Sequence, residues 1–215
     1  MALQSQKLKH KKKTSQNRNI KEQIFERSIQ LFLHKGYKST TIYDITNATN
    51  ITKGAFYWHF RSKDELLQNI VDYFEATFID LIIKKTKDCQ GNFLTKMKYL
   101  HKMMTEFAYQ RRDLCLCFLT LSAEMIGSGT EIEKNFKAIH AKYRNFLKEL
   151  LKLGKEEGYI KPDFDLTLLA SVLYAFHNGA LLEWYFNYNE IDGALFARMY
   201  RDVSFYGILK DDKNI

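Results

Sequence analysis

The chain has 215 residues, 46% hydrophobic and 14% aromatic, which excludes disorder along its whole length. One proline and ten glycines leave too little turn chemistry for the many short strands of a sandwich or barrel, so an all-α fold is expected. The net charge of +8 lies entirely in residues 1–65, which hold 13 Lys/Arg against 5 Asp/Glu, while residues 66–215 hold 20 of each. A basic first third beside a neutral remainder points to nucleic acid or an anionic membrane surface as partner.

Three cysteines, Cys89, Cys115 and Cys117, are odd in number and lack paired spacing, which favours a reducing compartment over a disulfide framework. The polar, lysine-rich start has no apolar stretch behind it for secretion. No window holds the roughly 18 uninterrupted apolar residues of a membrane span. A cytoplasmic protein with no membrane association is expected.

Residues 1–17 are polar and basic without helical periodicity and read as a flexible arm. From about Arg18, Ile20, Ile24, Ser28, Leu31 and Phe32 fall on one helical face, and Gly36 ends that helix in a position suited to a left-handed cap. Thr41 and Asp44 form a capping arrangement for a short helix running to about Thr49. Asn50-Ile51 breaks the pattern, and Thr52 caps a second short helix from Lys53 to about His59. Ser62 with Glu65 opens a long helix to about Lys87. Five further helices are expected near 93–110, 114–126, 131–157, 165–187 and 191–209, making about nine in all.

Two short helices joined by a tight turn and preceded by a longer one make a helix-turn-helix. The second begins Thr52-Lys53-Gly54-Ala55, small or cationic residues at the end that enters a DNA major groove. Gly54 is unwelcome there on propensity grounds, at a cost of about 1 kcal/mol relative to Ala. Its presence points to a constraint other than stability.

The run from Ile24 to Leu67 resembles the DNA-binding domain of the tetracycline-repressor (TetR) family. The matching pieces are Leu31-Phe32 before Gly36-Tyr37, Thr40-Thr41-Ile42 before Asp44-Ile45, Thr52-Lys53-Gly54, and Ala55-Phe56-Tyr57-Trp58-His59-Phe60 followed by Lys63-Asp64-Glu65-Leu66. The string from Gly54 to Phe60 is similar to multidrug-efflux repressors of the AcrR type. Thr49-Asn50-Ile51 stands where many members have Ala-Gly-Val, and Asn tolerates the left-handed conformation such a turn requires.

The resemblance implies phosphate contacts from Thr41, Thr52, Tyr57, His59 and Lys63, with Lys53, Gly54 and Ala55 nearest the base edges. Hydroxyls, a phenol and a lysine near helix N-termini suit phosphate oxygens, and Lys53 is able to donate to guanine N7 or O6. Phe56 and Phe60 read as core, whereas Trp58 is open to either role. The resemblance further implies double-stranded operator DNA and a small-molecule inducer as partners, with a homodimer built on a four-helix bundle from the last two helices of each subunit. The expected organisation is a flexible basic arm (1–17), a helix-turn-helix domain (18–65) and a helical ligand-binding and dimerisation domain (66–215).

Several of the later helices are apolar over much of their circumference and must be buried on more than one side. Leu173, Phe176, Ala180 and Trp184 on one helix are expected at the dimer interface, with Phe196, Met199 and Tyr200 on the next. Candidates for the ligand site are Tyr99, Met103, Phe107, Phe118, Met125, Tyr143 and Phe146, with His177 as a polar contact. Such a lining suits an apolar or cationic-aromatic ligand. His140 is a second possible polar contact; Cys115 and Cys117 read as buried packing.

No phosphate-binding loop, His-Glu-x-x-His helix or paired-cysteine zinc pattern is present, so no metal site, cofactor or enzymatic activity is expected. Glu106, Glu124 and Glu183 have no acid–base partner in the sequence pattern. The leading reading is a ligand-released repressor. The alternatives are an activator or partner-controlled regulator, and, from another class, a helical small-molecule-binding protein or enzyme whose basic arm contacts membrane or RNA.

Overall fold

A computed structural model describes the backbone of residues 2–208 and the side chains of residues 19–205, 207 and 208. Among the described residues the chain forms helical rods and no strand. Three rods make a head: α1 (Ala2–Lys35), α2 (Ile42–Thr49) and α3 (Lys53–His59). The rest make a body: α4 (Lys63–Phe74) and α5 (Leu81–Asp88), then α6 (Phe93–Gln110), α7 (Arg112–Glu124), α8 (Glu131–Glu156), α9 (Leu166–Phe186) and α10 (Gly193–Tyr206). A π-helical stretch, Glu75–Asp80, joins α4 to α5 without a break, so the long helix expected from Ser62 is one rod with a widened middle.

Helix starts follow the capping chemistry of the sequence. The Thr41 hydroxyl accepts from Asp44 N–H while the Asp44 carboxylate accepts from Thr41 N–H, a reciprocal box. Lys35 and then Thr41 hold the Asp44 carboxyl well below the usual carboxylate range. Thr52 caps α3 through Ala55 N–H, and Ser62 caps α4 through Glu65 N–H. Asn50 takes the left-handed conformation at φ 54°, as the turn requires. Gly36 ends the cap of α1 at φ +80°, a region that strains a residue with a Cβ.

α1 departs from expectation at its start. Its helical backbone runs back to Ala2, through the segment read as a flexible arm. Apolar periodicity reports a buried face and not helicity itself, and residues 2–35 contain neither Gly nor Pro to stop a helix.

One apolar core joins head and body. Ile24, Phe32, Ile45, Phe56 and Phe60 fill the head, and Leu66, Leu67 and Ile70 of α4 continue it into the body. α1 packs on both α2 and α7, which seats the head on the body. The most extensive packing within the body is α8 on α9. Against α6, Gly154 of α8 lies on Phe93, whose side chain is fully buried, and an added Cβ would sit 2.7–2.9 Å from the ring carbons. Gly→Ala usually stabilises a helix. Here overpacking reverses the sign, and Gly154→Ala should lower stability by about 1–3 kcal/mol, read as a lower urea midpoint at unchanged slope.

α9 is, among the described residues, the one helix long and apolar enough by length and composition to cross a membrane. His177, Asn178 and Glu183 interrupt its apolar run. It buries Leu169, Ala170, Leu173, His177 and Trp184 inward.

A candidate DNA-reading face and a body cavity

α3 is held to the head by Phe56, whose side chain is wholly buried, and it turns its other faces outward. Thr52, Lys53, Gly54, Tyr57 and Trp58 are exposed, Trp58 to 78%, while Ala55 and His59 are half-buried. Thr41 at the start of α2 is exposed as well. Thr41, Thr52, Lys53, Tyr57 and Trp58 are thus all open to solvent on the head. Burial, with the Lys21 charge second, lowers the pKa of the half-buried His59, which favours its neutral donor–acceptor form.

Among the described residues nothing explains Gly54. A Cβ built there would meet only Thr52 Oγ1, at an ordinary 3.8 Å. Tyr43 of α2, 66% exposed, adds an aromatic that the sequence reading missed; its sole signal was a position off the buried stripe of α2.

Lys63 is placed differently from expectation. Its ammonium donates to the backbone carbonyls of Tyr37 and Thr40, both at 2.7 Å, and lies 4.1 Å from the Tyr37 ring centre. Burial pulls its pKa below the ordinary lysine value. With two of its three donors used inside the protein, its first role is to hold the segment between α1 and α2.

Glu124, at the end of α7, grips the same segment. Its carboxylate accepts from Tyr37 N–H and Lys38 N–H, each at 2.9 Å. The buried Tyr37 hydroxyl donates to Asp64, and burial followed by that bond raises the phenol pKa. The carboxylate that had no partner in the sequence pattern thus clamps body to head across 86 and 87 residues. Glu124→Ala strands the buried Tyr37 N–H and should cost about 1–3 kcal/mol. Glu124→Gln, which keeps one acceptor, should cost less. Urea unfolding of the three proteins checks both, and equal midpoints would remove the clamp from the account.

The body holds a half-open cavity of about 130 Å³. Phe74 and Phe118 stack on its wall with centroids 4.0 Å apart, and Phe78 and Ile79 reach it from the π-helical stretch. Of the expected ligand residues, Phe118, Tyr143 and His177 line this cavity. Phe107 stands one layer behind, against Phe74 and Phe78. Met125 and Phe146 are buried elsewhere in the core, Met103 packs on the core's edge, and Tyr99 is half-buried outside the wall. Phe146 instead borders a separate hollow with Leu150 and Leu153.

The residues expected at the dimer interface divide in two. Phe176 and Met199 are exposed, but Leu173 and Trp184 are buried in their own protomer. Ala180, Trp184, Phe196 and Tyr200 line the cavity instead. α9 is apolar nearly all round, so spacing alone did not identify its inward face. The outward stripe is Leu168, Val172, Phe176 and Phe186 on α9, joined by Leu195, Met199 and Val203 on α10.

Cys115 lies on the cavity wall, and both Cys115 and Cys117 are buried. Burial pushes the Cys115 thiol up to about 12 and raises Cys117 further, which keeps both as unreactive thiols.

Residues 24–70 match the family model described as bacterial regulatory proteins, tetR family. The chain is 29% identical over 162 residues to an uncharacterised HTH-type transcriptional regulator, YerO, of Bacillus subtilis strain 168, covering 74% of this chain but only 55% of that protein. It is 22% identical over 192 residues to the HTH-type transcriptional regulator AcrR of Shigella flexneri, covering 88% of this chain and 89% of that one. Among solved structures, the MbdR regulator from Azoarcus sp. CIB superposes with a TM-score of 0.80 at 28% identity, over 87% of this chain and 98% of its own.

Proposed function

We propose that this chain, which belongs to the tetR family of bacterial regulatory proteins, is a dimeric transcriptional repressor that a small ligand in the body cavity releases from its operator. The observation that carries the DNA reading is the outward face of α3. A first-turn glycine for which the described residues give no packing cause sits there among a lysine, two exposed aromatics and a capping threonine. Phosphate contacts from Thr41, Thr52, Tyr57 and His59 set register, while Lys53 and the bare backbone at Gly54 approach base edges. The lysine-rich segment before Asn19 adds sequence-independent attraction and a steep salt dependence.

The exposed apolar stripe of α9 and α10 supports a two-fold dimer, since contiguous apolar surface of this kind marks an interface. Two-fold symmetry places two α3 helices against half-sites about 34–36 Å apart, or a multiple of that.

Release needs a ligand whose affinity differs between two conformers. Two elements touch both the cavity and the head. α7 carries Cys115, Phe118 and Leu119 on the wall and Glu124 at its end; the α4–π rod carries Phe74 and Phe78 on the wall and Lys63 at its start. Both ends grip residues 37–40, immediately before the cap of α2. A ligand that shifts either rod therefore acts on the orientation of the reading helices.

The test is binding to DNA flanking the protein's own promoter at physiological salt, for wild type and Tyr57→Ala. Saturable binding of wild type to one palindromic site, weakened at least about tenfold in the variant, is expected. Equal and salt-sensitive binding of both proteins to any DNA would reduce the basic head to nonspecific attraction.

A further inference from the structure

We infer that the cavity takes an uncharged, single-ring molecule bearing a hydroxyl group, a phenol in chemical class, with that hydroxyl held between His177 and Tyr200. The site's use as an inducer site rests on the regulator reading above; the binding chemistry does not.

Size comes first. At about 130 Å³ the cavity is close to the roughly 150 Å³ of an apolar protein cavity that holds benzene. Its wall is aromatic, with the Phe74–Phe118 stack on one side and Tyr174 and Trp184 on another. Among the described residues no Asp, Glu, Lys or Arg lines it. A carboxylate or ammonium would lose its water there with no opposite charge in return, at a cost of several kcal/mol. A cation is left with the ring faces alone.

The hydroxyl follows from what the wall leaves unpaired. Thr105 donates to the His101 carbonyl, Tyr143 to Met104 Sδ at 3.1 Å, and Tyr174 is bonded to His140. Among the described residues, His177 Nε2 and the Tyr200 hydroxyl are buried without a partner, as is Nε2 of His101, which lies off the wall. Orphaned polar atoms of this kind are rare in native cores and call for an explanation. The His177 and Tyr200 rings are neighbours, with centroids 5.7 Å apart, and both residues line the cavity, but their two orphaned atoms lie just beneath its surface, so a ligand hydroxyl reaches them only when the rings turn toward it.

The Tyr143 proton is committed to Met104, so the His177 Nδ1–H, 3.5 Å from the Tyr143 oxygen, faces an acceptor and Nε2 is left as an acceptor itself. A ligand O–H donates to Nε2 while its oxygen accepts from Tyr200. A hydroxyl is the small group that does both. Burial pushes His177 down to about 3, and burial with the Arg201 charge pushes His101, packed behind both rings, to about 4. Neither imidazole supplies the positive charge an anionic ligand would need.

Calorimetric titration of the full chain with phenol, toluene, benzoate and phenyltrimethylammonium tests this without DNA. Phenol should bind saturably and about tenfold more tightly than toluene, with benzoate and the cation weaker than both. Tyr200→Phe, which removes one oxygen and preserves the ring, should erase most of phenol's advantage and leave toluene unchanged. His177→Phe should do the same, and thermal melts of both variants confirm that they fold. Toluene binding as tightly as phenol, a Tyr200→Phe protein that keeps the preference, tighter binding of either ion, or no binding of any single-ring probe would each overturn the inference. Operator binding is measured separately. Selective phenol binding without DNA release sinks the inducer role alone, whereas intact operator binding with no phenol site sinks the ligand class alone.

Discussion

Val172→Asp is expected to turn the dimer into a folded monomer and to weaken operator binding by two to four orders of magnitude. Val172 is 61% exposed in the single chain and lies on the stripe with Phe176 of α9 and Met199 and Val203 of α10. Because it contributes little to the protomer's own core, the substitution should change protomer stability by less than about 0.5 kcal/mol. In a dimer the same carboxylate would be buried against apolar surface with no partner, which the association cannot absorb. Losing the dimer then removes the second half-site contact, and tethered two-site binding is worth about 10²–10⁴ in apparent affinity. Sedimentation equilibrium gives the mass, and a gel-shift titration on the palindrome gives the affinity. A Val172→Asp protein that stays dimeric with native affinity would place the interface on another face. Leu173→Asp serves as contrast: that residue points into the protomer and its substitution should unfold the chain.

Gly54→Ala should make the protein more stable and a worse repressor at once. The position is exposed, helical and open, its nearest neighbour Thr52 Oγ1 at 3.8 Å. Alanine therefore gains helix propensity at no steric cost, about 0.5–1 kcal/mol. On the operator the same methyl group occupies space that the bare backbone leaves for a base edge or phosphate. Misplacing a base contact costs about 1–3 kcal/mol, and two half-sites double it, so affinity should fall at least about tenfold. Thermal melts and operator titrations on one preparation measure both signs. A variant that is more stable and binds DNA as tightly as wild type would show that nothing approaches closely at Gly54. The pairing with Gly154 is informative, because the same Gly→Ala change should destabilise there, where Phe93 fills the space.

Much of the fold was legible because it is written locally. Caps at Thr41, Thr52 and Ser62 each act within three residues, and the turn at Asn50 depends on one residue's tolerance of the left-handed region. The expected helices at 93–110 and 131–157 are observed as Phe93–Gln110 and Glu131–Glu156 for the same reason. Period-3.6 apolar spacing identifies a helix with one buried side, as in the head, where Ile24 and Phe32 are indeed core.

The site in the body was legible only in part. Phe118, Tyr143 and His177 were read as ligand residues and lie on the wall, but Tyr99, Met103, Phe107, Met125 and Phe146 do not. Tyr200, Phe196 and Trp184 line the cavity although their spacing equally fitted an interface.

The sequence by itself thus determined the helices, their caps, the reading head and the placement of all net charge in residues 1–65, since each depends on neighbours within a few turns. Only the tertiary structure decided which face of α9 turns inward, which aromatics line the cavity, and that Glu124 and Lys63 close on one segment. A helix apolar on every side carries no directional signal of its own, and a carboxylate 87 residues from its partner carries none until the chain has folded.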